Sequence, residues 1–213
     1  MKKVYVIIFT LFTVIWSGSA LTFGIRGGVS YGLGTSWSDF GANFSGNFSV
    51  RDDIPIGGNI AVYSAFPVNG FLFFQPEFSF MINNGMGVSI KESGLSTSMQ
   101  LKYSSLDIPI LVGFSFHSFN KMRLCFLGGL YLSFPLGEME VSTSSDGKTE
   151  RVAISSGLIW GVTGGISSVI PFKTGAFIVD LRYLSDFRSI EVAYISMFTR
   201  RTFVLSVGYE FRF

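Results

Sequence analysis

Hydrophobic and polar residues alternate at period two along most of this chain. The C-terminal segment shows the pattern most clearly, because every second residue there is apolar: Phe203, Leu205, Val207, Tyr209, Phe211 and Phe213. Period two is the spacing of a β-strand with one apolar face, and few segments show the 3.6-residue period of an amphipathic helix. The chain is therefore predicted to be all-β.

Eight segments carry this alternation, and the links between them alternate in length. The predicted strands lie at 23–33, 58–66, 71–82, 105–116, 122–134, 158–170, 177–183 and 202–213. Short, turn-type links occupy 67–70, 117–120 and 171–174, whereas the links at 34–57, 83–100, 138–155 and 186–199 are long and carry little apolar content. This alternation predicts an up-and-down meander with all the short links at one end and all the long ones at the other.

The second face of these strands favours a membrane over water as the surroundings. It is dominated by Gly, Ser and Ala, whereas a water-facing surface would carry many Lys, Glu and Thr residues. Small side chains fit the narrow interior of an eight-stranded barrel, and most segments reach the roughly 9 to 11 residues that a tilted strand needs to cross a bilayer. We predict an eight-stranded antiparallel up-and-down transmembrane β-barrel, closed by pairing of the first and last strands.

Eight charged residues fall on the predicted interior face, four of them acidic and four basic. They are Arg26, Glu77, Asp107, Arg123, Asp180, Arg182, Glu210 and Arg212. Buried charges are tolerated when they are paired and hydrogen-bonded, so the sequence predicts a network of ion pairs in the lumen. A narrow ion pathway or gate built from the same groups is the alternative, and nothing in the sequence separates the two.

The first twenty residues have the features of a signal peptide. Lys2 and Lys3 precede an apolar run over 4–16, and small residues at 17–20 provide a cleavage site. The run is shorter than the roughly 20 residues of a membrane-spanning helix, which disfavours an uncleaved anchor. We expect a signal peptide at 1–20 and one barrel domain at 21–213.

Composition and charge exclude several other classes of protein. The chain is 48% hydrophobic and 14% charged, which argues against disorder. Without residues 1–20 the 16 basic residues fall to 14, equal to the 14 acidic ones, and no basic cluster suggests binding to nucleic acid. The single cysteine, Cys125, excludes an internal disulfide.

The sequence contains no recognisable catalytic or metal-binding motif. His117 is the only histidine and is predicted to lie in a short turn, so a Ser-His-acid arrangement is improbable, and HExxH and CxxC are absent. Asp39, Asp52 and Asp53 in the first long link could bind calcium, although solvated loop acids are the commoner explanation. We expect no enzyme activity, no cofactor and no metal.

Several short motifs resemble those of the small outer-membrane β-barrel domain family of Gram-negative and spirochaete-like envelopes, to which PorT-like and OmpX-like proteins are related. Residues 74–78, Phe-Gln-Pro-Glu-Phe, resemble the Gln-Pro-Glu-Leu strand of that family, and residues 105–111 resemble its Tyr-Leu-Glu-Ile-Pro-Leu-Leu strand. The runs at 128–131 and 181–183 resemble its glycine-rich and Leu-Arg-Tyr elements. The resemblance spans most of the chain and implies a location in the outer membrane.

Two local features carry further expectations. The terminal strand, with Tyr209, Phe211 and Phe213 on one face, resembles the signal by which outer-membrane insertion machinery recognises barrels, through addition of a strand to an exposed sheet edge. Pro76 and Pro109 lie inside predicted strands, where each lacks an N–H for the ladder. We expect a bulge or local irregularity at each proline.

The favoured role is structural or interactive, with long extracellular loops on a rigid scaffold presenting a binding surface. The expected partners are outer-membrane lipid, the insertion machinery and an extracellular ligand. A narrow channel for small or apolar solutes, as in barrels resembling OmpW, is the first alternative. An accessory role in an envelope secretion or assembly system, implied by the PorT-like resemblance, is the second.

The assigned faces predict opposite responses at neighbouring positions of the last strand. Leu205→Arg places a charge at mid-strand toward lipid and should cost about 2–4 kcal/mol, whereas Ser206→Thr on the interior face should be mild. Urea unfolding of the folded protein in detergent or nanodiscs measures both. Equal effects would show that the register is wrong.

Overall fold

The fold consists of β-strands throughout the part of the chain that the structure describes. The structure is a computed structural model and describes residues 21–33, 56–92, 95–117, 122–143, 149–192 and 195–212. The strands are β1 Thr22–Gly32, β2 Ile56–Pro67, β3 Leu72–Glu92, β4 Leu95–His117, β5 Arg123–Thr143, β6 Thr149–Ala153, β7 Ile159–Pro171, β8 Gly175–Asp186, β9 Ile190–Val192, β10 Ile195–Phe198 and β11 Arg201–Arg212. No helix among these residues is long and apolar enough to cross a bilayer.

Eight of these strands close into an antiparallel barrel. Each pairs with the next in the order β1, β2, β3, β4, β5, β7, β8 and β11, and β11 returns to pair with β1. The closing ladder is continuous from Thr22 opposite Arg212 to Gly32 opposite Thr202. The predicted eight-stranded barrel, closed by its first and last strands, is confirmed.

The two faces of the barrel wall have opposite composition. Large apolar side chains point outward, as shown by Phe78, Leu130 and Val207, which are 58%, 56% and 51% exposed. Inward positions carry charged, small and hydroxyl-bearing residues, with both Glu77 and Thr202 fully buried, together with some apolar side chains such as Leu111. An apolar exterior around an interior that contains many buried charges is the reverse of a water-soluble barrel, in which the polar face points outward.

Three strands are much longer than the sequence predicts. β3, β4 and β5 have 21, 23 and 21 residues, whereas the other barrel strands have 11 to 13. The links predicted at 83–100 and 138–155 are therefore wrong as loops, because β3 and β4 form a hairpin ending at Glu92 and Leu95, and β5 pairs with β6. The link predicted at 186–199 also contains two short strands, since β9 pairs with β10. Residues 34–55 of the first long link lie outside the described part of the chain.

The predicted long links also bury more apolar surface than expected. Met139 and Ile190 from these links are fully buried and pack with Leu101, Tyr103 and Ile159. Val141, Val152 and Ile154 pack against this group. We call these eight residues the outer apolar cluster. The alternation of apolar residues continues weakly through the Ser- and Thr-rich segments, and the sheet extends with it.

The prolines interrupt strand pairing without shifting its register. The pairing of β2 with β3 has a gap at Pro76, and that of β3 with β4 has a gap at Pro109, but each ladder resumes in the same register. The expected bulge or local irregularity therefore takes the form of a gap in one ladder at each proline, without a register shift. The register shifts of the barrel ladders occur elsewhere in the described chain, near Asn83 with φ 53° and near Gly137 with φ 72°. Each proline still pairs with the strand on its other side, Pro76 with Ile110 and Pro109 with Tyr131. This pairing holds the strand in place although the proline lacks an N–H for the ladder.

The short turns and both described chain ends lie at one end of the barrel, here called the turn end. In the turn between β2 and β3, the Asn69 side chain accepts hydrogen bonds from the backbone N–H groups of Phe71 and Leu72. β7 and β8 are joined by a turn in which the N–H of Phe172 donates to the Gly175 carbonyl. His117 was predicted to lie in a short turn, but it is the last residue of β4.

Adjacent glycines on β5 provide a matched test of the two faces. A Cβ added to Gly129 would lie 2.1 Å from the Ile110 carbonyl oxygen, whereas a Cβ on Gly128 would meet nothing within 4 Å. Gly129→Ala should destabilise the barrel by about 1–3 kcal/mol because the backbone must move. Gly128→Ala should be neutral or slightly stabilising. Urea unfolding measures the stability of both variants. Equal stability would contradict the assignment of Gly129 to the crowded inner face and Gly128 to the open outer face.

Candidate functional site

Four charged side chains from three strands meet in the barrel interior and form what we call the central cluster: Arg26 of β1, Glu77 of β3, and Asp180 and Arg182 of β8. Arg26 Nη2 lies 2.6 Å and Arg182 Nη1 2.9 Å from Glu77 Oε2. Arg182 Nε also lies 2.7 Å from Asp180 Oδ1, and Arg26 Nη1 lies 3.4 Å from Asp180 Oδ2. Two cations and two anions therefore alternate in one closed arrangement.

The central cluster is organised around Glu77. Its carboxylate accepts hydrogen bonds from both arginines, and Gln75 Nε2 donates to Oε1 at 2.6 Å. Glu77 is entirely buried, so these donors replace the water that the carboxylate would bind outside the fold. Residues two apart on a strand point to the same face, so Gln75 and Glu77 both point inward from β3, and Asp180 and Arg182 both point inward from β8. Few strands are therefore needed to supply the whole cluster.

A second buried group, here called the outer cluster, lies toward the end with the long hairpins. Arg200 Nη1 lies 2.9 Å from Asp107 Oδ2, and Arg200 Nη2 lies 3.2 Å from Asp186 Oδ1. Ser133 donates to Asp107 at 2.5 Å, and the Tyr131 hydroxyl donates to Asp186. The guanidinium of Arg200 also lies over the Tyr131 ring, 5.1 Å from its centroid.

Sequence analysis missed Arg200 and Asp186 because it placed both in or beside a long loop. The alternation of inward and outward residues on the neighbouring strands could have identified both residues. Even-numbered residues point inward on both β8 and β11, and Asp186 and Arg200 continue those series toward the loop. Extending the alternation past the last bulky residue would have found them.

Small polar groups and the apolar side chains of Met81, Leu184 and Val204 fill the section between the two clusters. The Asn59 side chain donates to Ser79 Oγ at 2.5 Å and accepts from Ser206 Oγ at 3.2 Å. A cavity of about 20 Å³ remains here, lined in part by Arg26, Asp107 and Thr163. A space of that size holds roughly one water molecule.

The two ends of the interior differ in character. At the turn end, Arg123 Nη2 lies 3.2 Å from Glu210, and a cavity of about 310 Å³ opens beside this pair. The outer apolar cluster lies toward the opposite end. The side chain of Arg212 and the residues Phe213, Asp39, Asp52 and Asp53 lie outside the described part of the chain.

The structure brings the predicted charges together in three separate groups. Arg26, Glu77, Asp180 and Arg182 form the central cluster, Asp107 belongs to the outer cluster, and Arg123 pairs with Glu210 at the turn end. Within the described ranges, no group of three or more His, Cys, Asp or Glu residues could hold a metal ion. The charged groups of the described interior therefore neutralise one another, and buried apolar side chains fill much of the remaining space.

A closed antiparallel barrel with an apolar exterior and an ion-paired interior defines the class of small transmembrane β-barrels. The chain matches the family described as outer membrane protein beta-barrel domain over residues 16–190, and it belongs to that family. It is an outer-membrane protein. The family assignment agrees with the resemblance seen in the sequence motifs, although the link to PorT-like proteins in particular remains a prediction.

Solved structures of outer-membrane barrels share this fold. Neisserial surface protein A, from Neisseria, is similar with a TM-score of 0.55 and 12% identity, over 92% of this chain and 100% of that one. The outer membrane protein OprG from Pseudomonas aeruginosa is similar with a TM-score of 0.50 and 12% identity, over 91% and 96% of the two chains. No curated protein sequence matches this chain. At such low identity the likeness concerns the fold alone.

The central cluster predicts a large difference between buried and exposed carboxylates. Glu77→Gln removes the charge that faces two buried guanidinium groups and should destabilise the barrel by about 3–5 kcal/mol. Glu140→Gln is the matched control, because Glu140 pairs with Arg151 at 3.0 Å on the surface and should cost about 0–1 kcal/mol. Urea unfolding monitored by tryptophan fluorescence measures both variants. Similar midpoints for the two would contradict the stabilising role of the central cluster.

Proposed function

We propose that this protein is an outer-membrane scaffold that presents a rigid strand surface to extracellular ligands or partner proteins. In this proposal the turn end faces the periplasm and the long hairpins face outward. The bilayer surrounds the apolar belt, and the lumen serves to hold the scaffold rigid. The proposal assigns the protein no catalytic role.

The length of β3, β4 and β5 is the observation that carries this proposal. Each has more than 20 residues, about twice the roughly 9 to 11 that span the hydrocarbon at the usual tilt. The surplus forms a sheet extension in which Asn84–Glu92 of β3 pairs with Leu95–Tyr103 of β4, β4 pairs with β5 through Met99 opposite Thr143, and β5 pairs with β6. A paired sheet holds its surface in a fixed shape, which lowers the entropy cost of binding a partner.

The filled interior supports a scaffold over the alternative of a channel. The central and outer clusters occupy successive sections of the lumen, and the space between them holds about one water molecule. The outer apolar cluster adds a further apolar layer at the far end. A conducting path would require several buried ion pairs to separate at once, which is costly in a low dielectric.

Insertion into the membrane is proposed to use the C-terminal strand and a signal peptide at 1–20. Tyr209 and Phe211 lie on the outward side of β11, with ring centroids 4.8 Å apart. Before closure, β11 would present a free edge that insertion machinery could extend by strand addition. Recognition by that machinery, including any part played by Phe213, remains part of the proposal.

The scaffold proposal predicts an electrically silent protein. Purified barrel in planar bilayers should give no single-channel steps, because the ion-paired interior has no continuous aqueous path. The gel mobility shift between unboiled and boiled samples shows in parallel that the protein is folded. Regular conductance steps from the folded protein would contradict the proposal and favour a channel.

Shortening the sheet extension tests the binding role directly. Replacing residues 88–99 with Asn-Gly closes the hairpin at the Gly87 and Gln100 pair and leaves the barrel strands intact. Cells displaying this variant should lose binding to immobilised host proteins and glycans that the wild type retains. Phe172→Ser at the turn end is the control and should bind as the wild type does. Unchanged binding by the shortened variant would overturn the assignment of the surface.

A further inference from the structure

The cavity at the turn end is large enough for a small molecule. Its volume is about 310 Å³, near the lower limit of ligand pockets, and it opens at the turn end. At about 30 Å³ for each water, it has room for roughly ten non-hydrogen atoms. We propose that this cavity binds a small amphipathic carboxylate, with the charged end against Arg123 and the apolar end against the barrel wall.

Arg123 supplies the polar contact for such a ligand. Only Nη2 of its guanidinium contacts Glu210, reaching both carboxylate oxygens at 3.2 Å. Its Nε–H is a buried donor with no hydrogen-bond partner among the described residues. The side chain is 30% exposed and lines the cavity beside Glu210, so an entering carboxylate reaches the part of the guanidinium that Glu210 does not contact. A carboxylate suits the fork of donors on a guanidinium better than a neutral acceptor does, because it can accept two parallel charge-assisted bonds.

The rest of the lining is mixed: polar groups such as Ser115, Ser167 and Glu210 alternate with apolar side chains from several strands. Phe73 of β3, Leu127 of β5, Val169 of β7 and Ile178 of β8 all line the cavity. Except for Phe73, which is partly buried, these side chains are at most 7% exposed and pack in one cluster, so the wall is rigid. A short alkyl chain would replace water against these apolar side chains, which is favourable.

The cavity ends at the central cluster and does not continue into the lumen as a channel entrance would. Gln75 belongs to the lining and also donates to Glu77, so the inner limit of the cavity is the central cluster. A ligand entering from the turn end therefore stops at a layer of satisfied ion pairs. The site is a blind pocket that does not require transport through the lumen.

Titration calorimetry with hexanoate on the full protein in nanodiscs tests the proposal. Binding should be detected above the signal of empty nanodiscs. Hexanol and hexanamide, which keep the alkyl chain and lack the charge, should bind at least tenfold more weakly. No hexanoate signal, or equal affinity for hexanamide, would overturn the carboxylate assignment.

Paired arginine variants locate the site. Arg123→Gln should weaken hexanoate binding at least tenfold, whereas Arg201→Gln, an exposed arginine at the far end of β11, should leave it unchanged. The gel mobility shift establishes that each variant is folded. If both variants bind hexanoate as the wild type does, the cavity is not the site.

Cys125 gives a second readout that does not depend on Arg123. Cys125 lines the cavity and is 2% exposed, so a small alkylating reagent is expected to reach its thiol through the cavity. Hexanoate should slow alkylation of Cys125 in the wild type, whereas hexanol at the same concentration should not. An alkylation rate unaffected by saturating hexanoate would overturn the proposed location.

Discussion

The absence of hydrogen-bonding partners in the hydrocarbon core is the constraint on which the rest of this structure depends. Every N–H and C=O in that layer must find a partner within the protein, so the sheet has to close on itself. The ladder between β1 and β11 provides that closure. Once the sheet is closed, each strand has one face toward lipid and one toward a narrow lumen, and the alternation of side chains follows.

The lumen then imposes a second requirement, that its charges be neutralised within the protein. Glu77 faces two arginines, and Arg200 faces two aspartates, so each buried charge has a partner of opposite sign close by. Glycines make room for these long side chains, as where Gly165 lies directly beside the Arg182 side chain. Packed ion pairs of this kind give the wall a rigid interior support, on which the long hairpins of β3, β4 and β5 can be held.

The likeness to structures with only 12% identity illustrates the same point. Many side chains satisfy the outer face provided they are apolar, and many satisfy the inner face provided they are small or paired. The pattern therefore specifies the barrel more strongly than any particular residue does. The individual character of this chain lies in its sheet extension, its ion-pair arrangement and the cavity at its turn end.

Periodicity alone determined the fold class, the number of barrel strands and the faces of Arg26, Glu77, Asp180 and Arg182, because side-chain direction in a strand depends only on parity. It did not identify the hairpin extensions, since Ser- and Thr-rich segments alternate too weakly to be distinguished from loops. Only the tertiary structure decided which charges meet. The register between strands sets the height of each side chain in the lumen, and through it residues far apart in the chain, such as Arg200 and Asp107, come into contact.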